Sequence, residues 1–140
     1  MSLYLDTSVL LKLIFLEPET QAALDYIDQE PELIVSSLAR LEAITAIRSR
    51  QQSGFIRAAN VKKRIALLDN LLSTVPFSFQ QCPAEIFIIA EHQLATAYCP
   101  TLDGIHLAVM TSLGIQRLLT HDSLQAKAAK KLGLSVYSPR

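Results

Sequence analysis

Leu3-Tyr4-Leu5-Asp6-Thr7-Ser8-Val9-Leu10 opens the chain with three apolar residues, one carboxylate, two hydroxyl side chains and renewed apolar sequence. The first three suit a buried strand. Asp6, Thr7 or Ser8 can cap a following helix, whose dense apolar run reaches Leu16 with Lys12 as its only charge. A strand passing into a helix across a single acid starts an alternation that the rest of the chain continues.

Pro18 breaks that helix, and residues 19–29 form a second with Ala22, Ala23, Tyr26 and Ile27 as its apolar stripe. Pro31 ends it. Leu33-Ile34-Val35 is a second strand, and Ser36 or Ser37 caps a helix to Gln52 with Leu38, Leu41, Ile44 and Ile47 at helical spacing. Gly54 separates it from a long helix over 56–72, so the two make a hairpin with a basic elbow. Residues 75–77 form a weak third strand, which Pro76 consigns to an edge. Helices follow over 83–97 and 102–113, then a fourth strand over 117–120. Asp122 caps a helix to Leu132 that Gly133 terminates, and 134–137 is a fifth strand. Strands alternating with helices or helix pairs give a parallel sheet with helices on both faces.

The chain has 140 residues, 50% of them hydrophobic and 6% aromatic, which predicts one domain over 1–140 with an aliphatic core. Four glycines and six prolines exclude disorder as the dominant state. The longest apolar run, 86–90, is too short to cross a bilayer, and the N-terminus lacks the pattern of a signal peptide. Two cysteines, Cys82 and Cys99, cannot make a disulfide framework; both read as buried, reduced thiols of a cytoplasmic protein. Thirteen bases cancel thirteen acids, but unevenly: one basic segment lies at 40–64 and another at 117–140. Solvated helix faces and an anionic ligand both account for that pattern.

Four acids stand out. Asp6 ends the first strand, Asp122 follows the fourth, Glu42 lies one turn into the helix after the second, and Asp103 starts the helix before the fourth. Ligands of open α/β sheets bind beyond the carboxyl ends of the strands. Asp6 and Asp122 flank that crevice if the first and fourth strands are neighbours, with Glu42 and Asp103 reaching it from bordering helices. Asp6, Glu42 and Asp103 have apolar sequence neighbours, no basic residue is an evident partner for all four acids, and carboxylates packed together repel. A hard divalent cation, Mg²⁺ or Mn²⁺, removes that penalty, and an acid cluster holding one suits metal-assisted phosphodiester hydrolysis. Plainer roles compete for each residue: Asp6 and Asp122 as helix N-caps, Asp103 as a first-turn acid, Glu42 paired with Arg40 or Arg48. Thr7, Ser8 and Thr120 bring hydroxyls to the same edge, either to orient carboxylates or to cap. His106 reads as a packed helix residue, His121 as an exposed loop residue and His92 as surface. No nucleophile elbow, GxGxxG or GxxxxGK loop occurs.

These pieces, in this order, resemble the PIN-domain family, specifically VapC-like toxin ribonucleases. The matching stretches are Leu5-Asp6-Thr7-Ser8, Leu41-Glu42, Leu102-Asp103-Gly104-Ile105-His106-Leu107-Ala108 and Leu119-Thr120-His121-Asp122, with an ending over 126–134. The resemblance spans essentially the whole chain. It implies a three-layer α/β/α sandwich with a central parallel five-stranded sheet in the order 3-2-1-4-5, carrying a helical hairpin. It also implies an Mg²⁺- or Mn²⁺-dependent endoribonuclease with Asp6, Glu42, Asp103 and Asp122 as catalytic and metal-binding acids, a homodimer, and a small antitoxin partner. Relatives often carry an arginine shortly before Asp103, where this chain reads Ala97-Tyr98-Cys99-Pro100-Thr101, and Gly104 replaces a usual alanine. In this setting Arg48, Arg50, Arg57, Lys62, Lys63 and Arg64 are expected to attract RNA phosphates, or alternatively an acidic peptide. A catalytically silent PIN-like module that binds RNA or protein is the competing function. A phosphatase or receiver-type domain phosphorylated at Asp6 fits less well, for no second acid follows two positions later.

Overall fold

In the computed structural model, which describes residues 1–15 and 17–139, five short strands form one sheet. The elements are β1 (Leu3–Leu5), α1 (Thr7–Ile14), α2 (Thr20–Ile27), β2 (Leu33–Ser36), α3 (Ser37–Gln52), α4 (Ala58–Leu72), β3 (Phe77–Gln80), α5 (Ile86–Leu94), α6 (Thr101–Leu113), β4 (Arg117–Leu119), α7 (Ser123–Lys131) and β5 (Ser135–Tyr137). The order is β3-β2-β1-β4-β5 and every pairing is parallel. The expected end of the first helix at Leu16 lies outside the described residues.

The central strand explains the layers. Leu3, Tyr4 and Leu5 are all buried, and alternate side chains leave opposite faces of the pleat. Leu3, Leu5, Leu33, Val35 and Leu119 pack with the apolar sides of α1, α2, α3 and α4. Tyr4, Ile34 and Leu118 pack with α5, α6 and α7 on the other side. Burial on both faces is why these strands read as unbroken apolar runs. Gly114 and Gly133 end α6 and α7 at φ 71° and 82°, a region that side chains with a Cβ disfavour.

Three expectations change. The third strand starts at Phe77, because Pro76 has no N–H to give the ladder and contributes only its carbonyl, which accepts from the Leu33 N–H at 2.9 Å; its edge position stands. The core-facing line of α3 is Ala39-Ala43-Ile47, at a strict four-residue interval, and Leu41 is instead 63% exposed. Cys82 is only half-buried, whereas Cys99 is buried and its thiol is pushed up by that burial.

At the amino ends of the strands Arg117 clamps Glu30 with both guanidinium nitrogens, at 2.8 and 2.7 Å, and lies over the Tyr137 ring. The carboxyl ends are left to a different set of side chains.

Candidate functional site

Asp6 caps α1 as the chain leaves β1 and is 4% exposed. A carboxylate that deep needs donors, and they come from three segments. Ser8 supplies its backbone N–H (3.2 Å) and hydroxyl (2.7 Å) to Oδ2, Thr120 its hydroxyl to the same oxygen (3.2 Å), and Gln125 its amide to Oδ1 (3.3 Å). The His121 N–H in turn donates to Ser8 Oγ at 3.0 Å, binding the loop after β4 to the start of α1. The cap expected of Asp6 is present, and the same carboxylate lies 3.6 Å from His106 Nε2.

Glu42 projects from α3 toward the same place. Its Oε1 accepts from the Thr7 hydroxyl at 2.8 Å and lies 2.5 Å from His106 Nε2, which is also 3.6 Å from Asp6 Oδ1. On the ring's other side Nδ1 is 2.6 Å from the Tyr4 hydroxyl, which donates to Ser36 Oγ at 2.8 Å. Ser36 Oγ itself accepts from the Ala39 N–H and so caps α3. One relay thus ties the first turn of α3, the central strand and α6 to Glu42. Neither arginine suggested for Glu42 meets it: Arg40 pairs with Asp69 at 2.9 Å, and Arg48 forms no ion pair among the described residues.

Asp103 stands in the first turn of α6, half-buried, with no side-chain hydrogen bond among the described residues. Its carboxyl is pushed up to about 6, first by burial and then by the negative charges of Asp122, Asp6 and Glu42, with His106 opposing. Asp122 caps α7 by accepting from the Gln125 N–H at 3.0 Å, and its own N–H donates to Thr120 Oγ1 at 2.9 Å. Asp122, Asp6 and Glu42, on three other segments, all act on Asp103; Thr7 and Ser8 each touch one of the four acids and Thr120 touches two.

Tyr4, Ser36, His106 and Gln125 also belong to this constellation, and the pattern of acids alone does not point to them. His106 is 1% exposed within the fully buried run of α6 from Gly104 to Met110, so it packs as a core residue and still reaches Glu42. Its spacing of three from Asp103, one helical turn, is the signal that sequence offers. His121 departs from the exposed loop residue expected of it: it is half-buried, and burial foremost holds its pKa below the ordinary value. His92 is exposed.

Every candidate ligand is a carboxylate oxygen, the donor that hard cations prefer. Among the described residues no three acidic, histidine or cysteine side chains are gathered tightly enough to close on an ion by themselves. Mg²⁺ asks less than that, since it keeps several waters and takes one or two carboxylates. Asp103 is lifted first by burial and then by the neighbouring acids, and a dication relieves the second cause, so the donor set fits such an ion.

The basic elbow divides. The Arg50 guanidinium lies 3.5 Å from the Phe15 ring centroid and pairs with Glu17 at 3.2 Å, and Arg64 donates to the Ile14 carbonyl at 2.7 Å. Arg48, Arg57, Lys62 and Lys63 are exposed.

Comparison with known proteins gives three findings. The family model described as PIN domain matches residues 3–131. Ribonuclease VapC46 of Mycobacterium tuberculosis is 30% identical, over 99% of this chain and 98% of that protein. Among solved structures, Mycobacterium tuberculosis VapC20, described as a sarcin-ricin loop cleaving toxin, superposes with a TM-score of 0.68 at 16% identity, covering 94% of this chain and 95% of its own. VapBC-1 from nontypeable Haemophilus influenzae gives 0.72 at 16% identity over 99% and 98%.

Proposed function

The chain belongs to the PIN domain family, and from that premise we propose that it is a divalent-metal-dependent endoribonuclease, the toxin of a toxin–antitoxin pair. Asp6, Glu42, Asp103 and Asp122 are the residues that would hold Mg²⁺ or Mn²⁺. When bound, the cation supplies an activated water as nucleophile and stabilises charge on the phosphoryl oxygens and the leaving group.

The chain's own residues do the positioning. Ser8, Thr120 and Gln125 fix Asp6 so that the carboxylate does not rotate. Thr7 and His106 hold one oxygen of Glu42 and leave its other oxygen without a hydrogen-bond partner among the described residues. Asp103, free of side-chain hydrogen bonds among the described residues and lifted to about 6, is the acid whose ionisation a cation most favours. The carrying observation is that field around Asp103, to which Asp122, Asp6 and Glu42 all contribute. The name Ribonuclease VapC46 of the 30% identical relative supports RNA as substrate, and the fold shared with VapBC-1 supports a small antitoxin as partner.

Residues 1–140 are read as one domain and the protein as cytoplasmic, in keeping with two free cysteines and with no helix among the described residues long and apolar enough to cross a membrane. Exposed Leu41, Phe87 and Leu102 support a homodimer. The test is cleavage of labelled RNA by the pure protein with Mg²⁺ or Mn²⁺. Cleavage is expected to stop with EDTA and in Asp6→Asn or Asp103→Asn. Metal-independent cleavage that survives those changes refutes the reading, and RNA binding without cleavage returns the chain to a silent binding module.

A further inference from the structure

The lysines of the second basic segment have no part in the site described above, yet the helix that carries them adjoins it. α7 presents Ser123, Lys127 and Lys130 at intervals of four and three, one stripe of its surface. That stripe lines a cavity of about 480 Å³ with His121 and, from the tail after β5, Ser138 and Pro139. Among the described residues no carboxylate lines it and neither lysine enters an ion pair. Two ammonium groups one helical turn apart repel each other, so an anion between them relieves a cost already present.

The cavity is coupled to the acidic centre through the chain itself. His121 lines the cavity while its backbone N–H donates to Ser8 Oγ at 3.0 Å, and the Ser8 hydroxyl donates to Asp6 at 2.7 Å. Asp122, the next residue, is one of the four acids and caps the helix that carries both lysines. A strand whose reacting phosphodiester meets the acids must carry its neighbouring phosphates past them, and here the helix that Asp122 caps carries Lys127 and Lys130. Lys62 and Lys63 stand elsewhere, on α4, which packs by β3, the sheet edge opposite β5.

Resting on the nuclease reading above, we propose that Lys127 and Lys130 bind a backbone phosphate of the RNA strand next to the one that is cleaved, with the Ser123 and Ser138 hydroxyls as neutral donors. Lysine acts there as a point charge, so the contact sets register along the strand and reads no base.

The test measures binding of a fluorescein-labelled random single-stranded RNA 12-mer to the Asp103→Asn protein in Mg²⁺ across a salt series. Lys127→Gln with Lys130→Gln is expected to weaken binding about tenfold and to flatten the slope of log affinity against log salt by about 0.7 for each phosphate no longer neutralised. Lys127→Arg with Lys130→Arg should restore both. Lys62→Gln with Lys63→Gln removes the same charge at the opposite edge, and affinity and slope should fall by less than in the α7 pair. Equal losses from the two glutamine pairs, or none from either, overturn the site. Cleavage by the chain with its acids intact is followed in parallel. An unaltered slope beside intact cleavage removes only the phosphate site; no cleavage in Mg²⁺ or Mn²⁺ removes the nuclease reading and this site with it.

Discussion

His106 Nε2 stands 2.5 Å from Glu42 Oε1 although 64 residues separate them along the chain. The contact joins α6 to α3 across the ends of the central strands, and Tyr4 and Ser36 complete it from below. Under the proposed mechanism His106 is a positioning residue, since it holds a carboxylate rather than the substrate. His106→Ala removes the restraint on Glu42 and leaves the Tyr4 hydroxyl short of a partner. We expect RNA cleavage to fall about 10- to 100-fold, the usual effect of losing a group that orients a ligand. Raising the Mn²⁺ concentration should recover part of that loss, which a purely structural defect would not show. Tyr4→Phe should cost about 1 kcal/mol of stability, read by urea unfolding, with a smaller loss of activity.

Asp103 makes stability depend on pH in the direction opposite to most carboxylates. Its folded value, about 6, lies above its ordinary 3.8. Between those values the folded state keeps a proton that the unfolded state has lost, so its stabilising contribution is full below about pH 4 and is lost as pH rises through 6. At pH 7.5 in EDTA, Asp103→Asn should therefore be more stable than the parent by about 1 kcal/mol, after allowance for partial solvent screening, and inactive. Thermal unfolding at pH 5 and 7.5 checks this; a parent that is equally stable relative to the variant at both pH values would contradict it.

Arg117 and Glu30 behave in the ordinary direction. The bidentate contact to Arg117 holds the Glu30 carboxyl below its usual value of 4.5. Stability from the pair is present above 4.5 and is lost as pH falls through that lowered value. Arg117→Met should cost about 2 kcal/mol at pH 7, and the difference between variant and parent should shrink as the buffer is taken down toward pH 3. The pair lies at the amino ends of the strands, so RNA cleavage by the variant at a permissive temperature should be unchanged.

The parts of this protein that are legible in its sequence are those set by local pattern. Leu3-Tyr4-Leu5 and Leu33-Ile34-Val35 announce strands buried on both sides, and Asp6 and Asp122 announce helix starts. Glu42 and Asp103 are conspicuous because a lone charge among apolar neighbours is costly. The relay is hidden for the converse reason. Tyr4 in an apolar strand, and His106 in a helix buried all round, carry polar atoms whose partners are set only when α6 lies against β1 and β2. Side-chain direction is equally out of reach: Leu41 and Ile47 both match a helical repeat, yet only Ile47 faces the core. Arg50 and Arg64 look like the lysines beside them until Phe15 and the Ile14 carbonyl are placed beneath them.

Gly104 offers a stabilising change. It sits inside α6, and a Cβ there would lie 3.5 Å from Cys99 Sγ and 3.8 Å from Leu94 Cδ2, both ordinary contacts. Its φ is not in the left-handed region that glycine alone favours. Gly104→Ala should therefore add about 1 kcal/mol by restricting the unfolded chain and favouring the helix, seen as a higher urea midpoint at constant slope. A fall in stability would mean that Cys99 and Leu94 cannot accommodate the methyl group.

The apolar surface beside Glu42 bears on assembly. Leu41, Phe87 and Leu102 are 63%, 68% and 49% exposed, and they line adjoining apolar grooves that also include Leu38, with Glu42 at the margin of one. Exposed aliphatic and aromatic side chains clustered in this way lower the free energy when covered, at about 25 cal/mol per Å². For the proposed homodimer, Leu41→Glu with Phe87→Glu should give a monomer by light scattering at concentrations where the parent is dimeric, without loss of helix signal, because neither side chain is in the core. A parent that is monomeric at high micromolar concentration would remove the dimer. If the variant is monomeric and cleaves RNA at the parental rate, each acidic centre works alone; a matched loss of cleavage would mean that the second copy shapes the groove in which Glu42 stands.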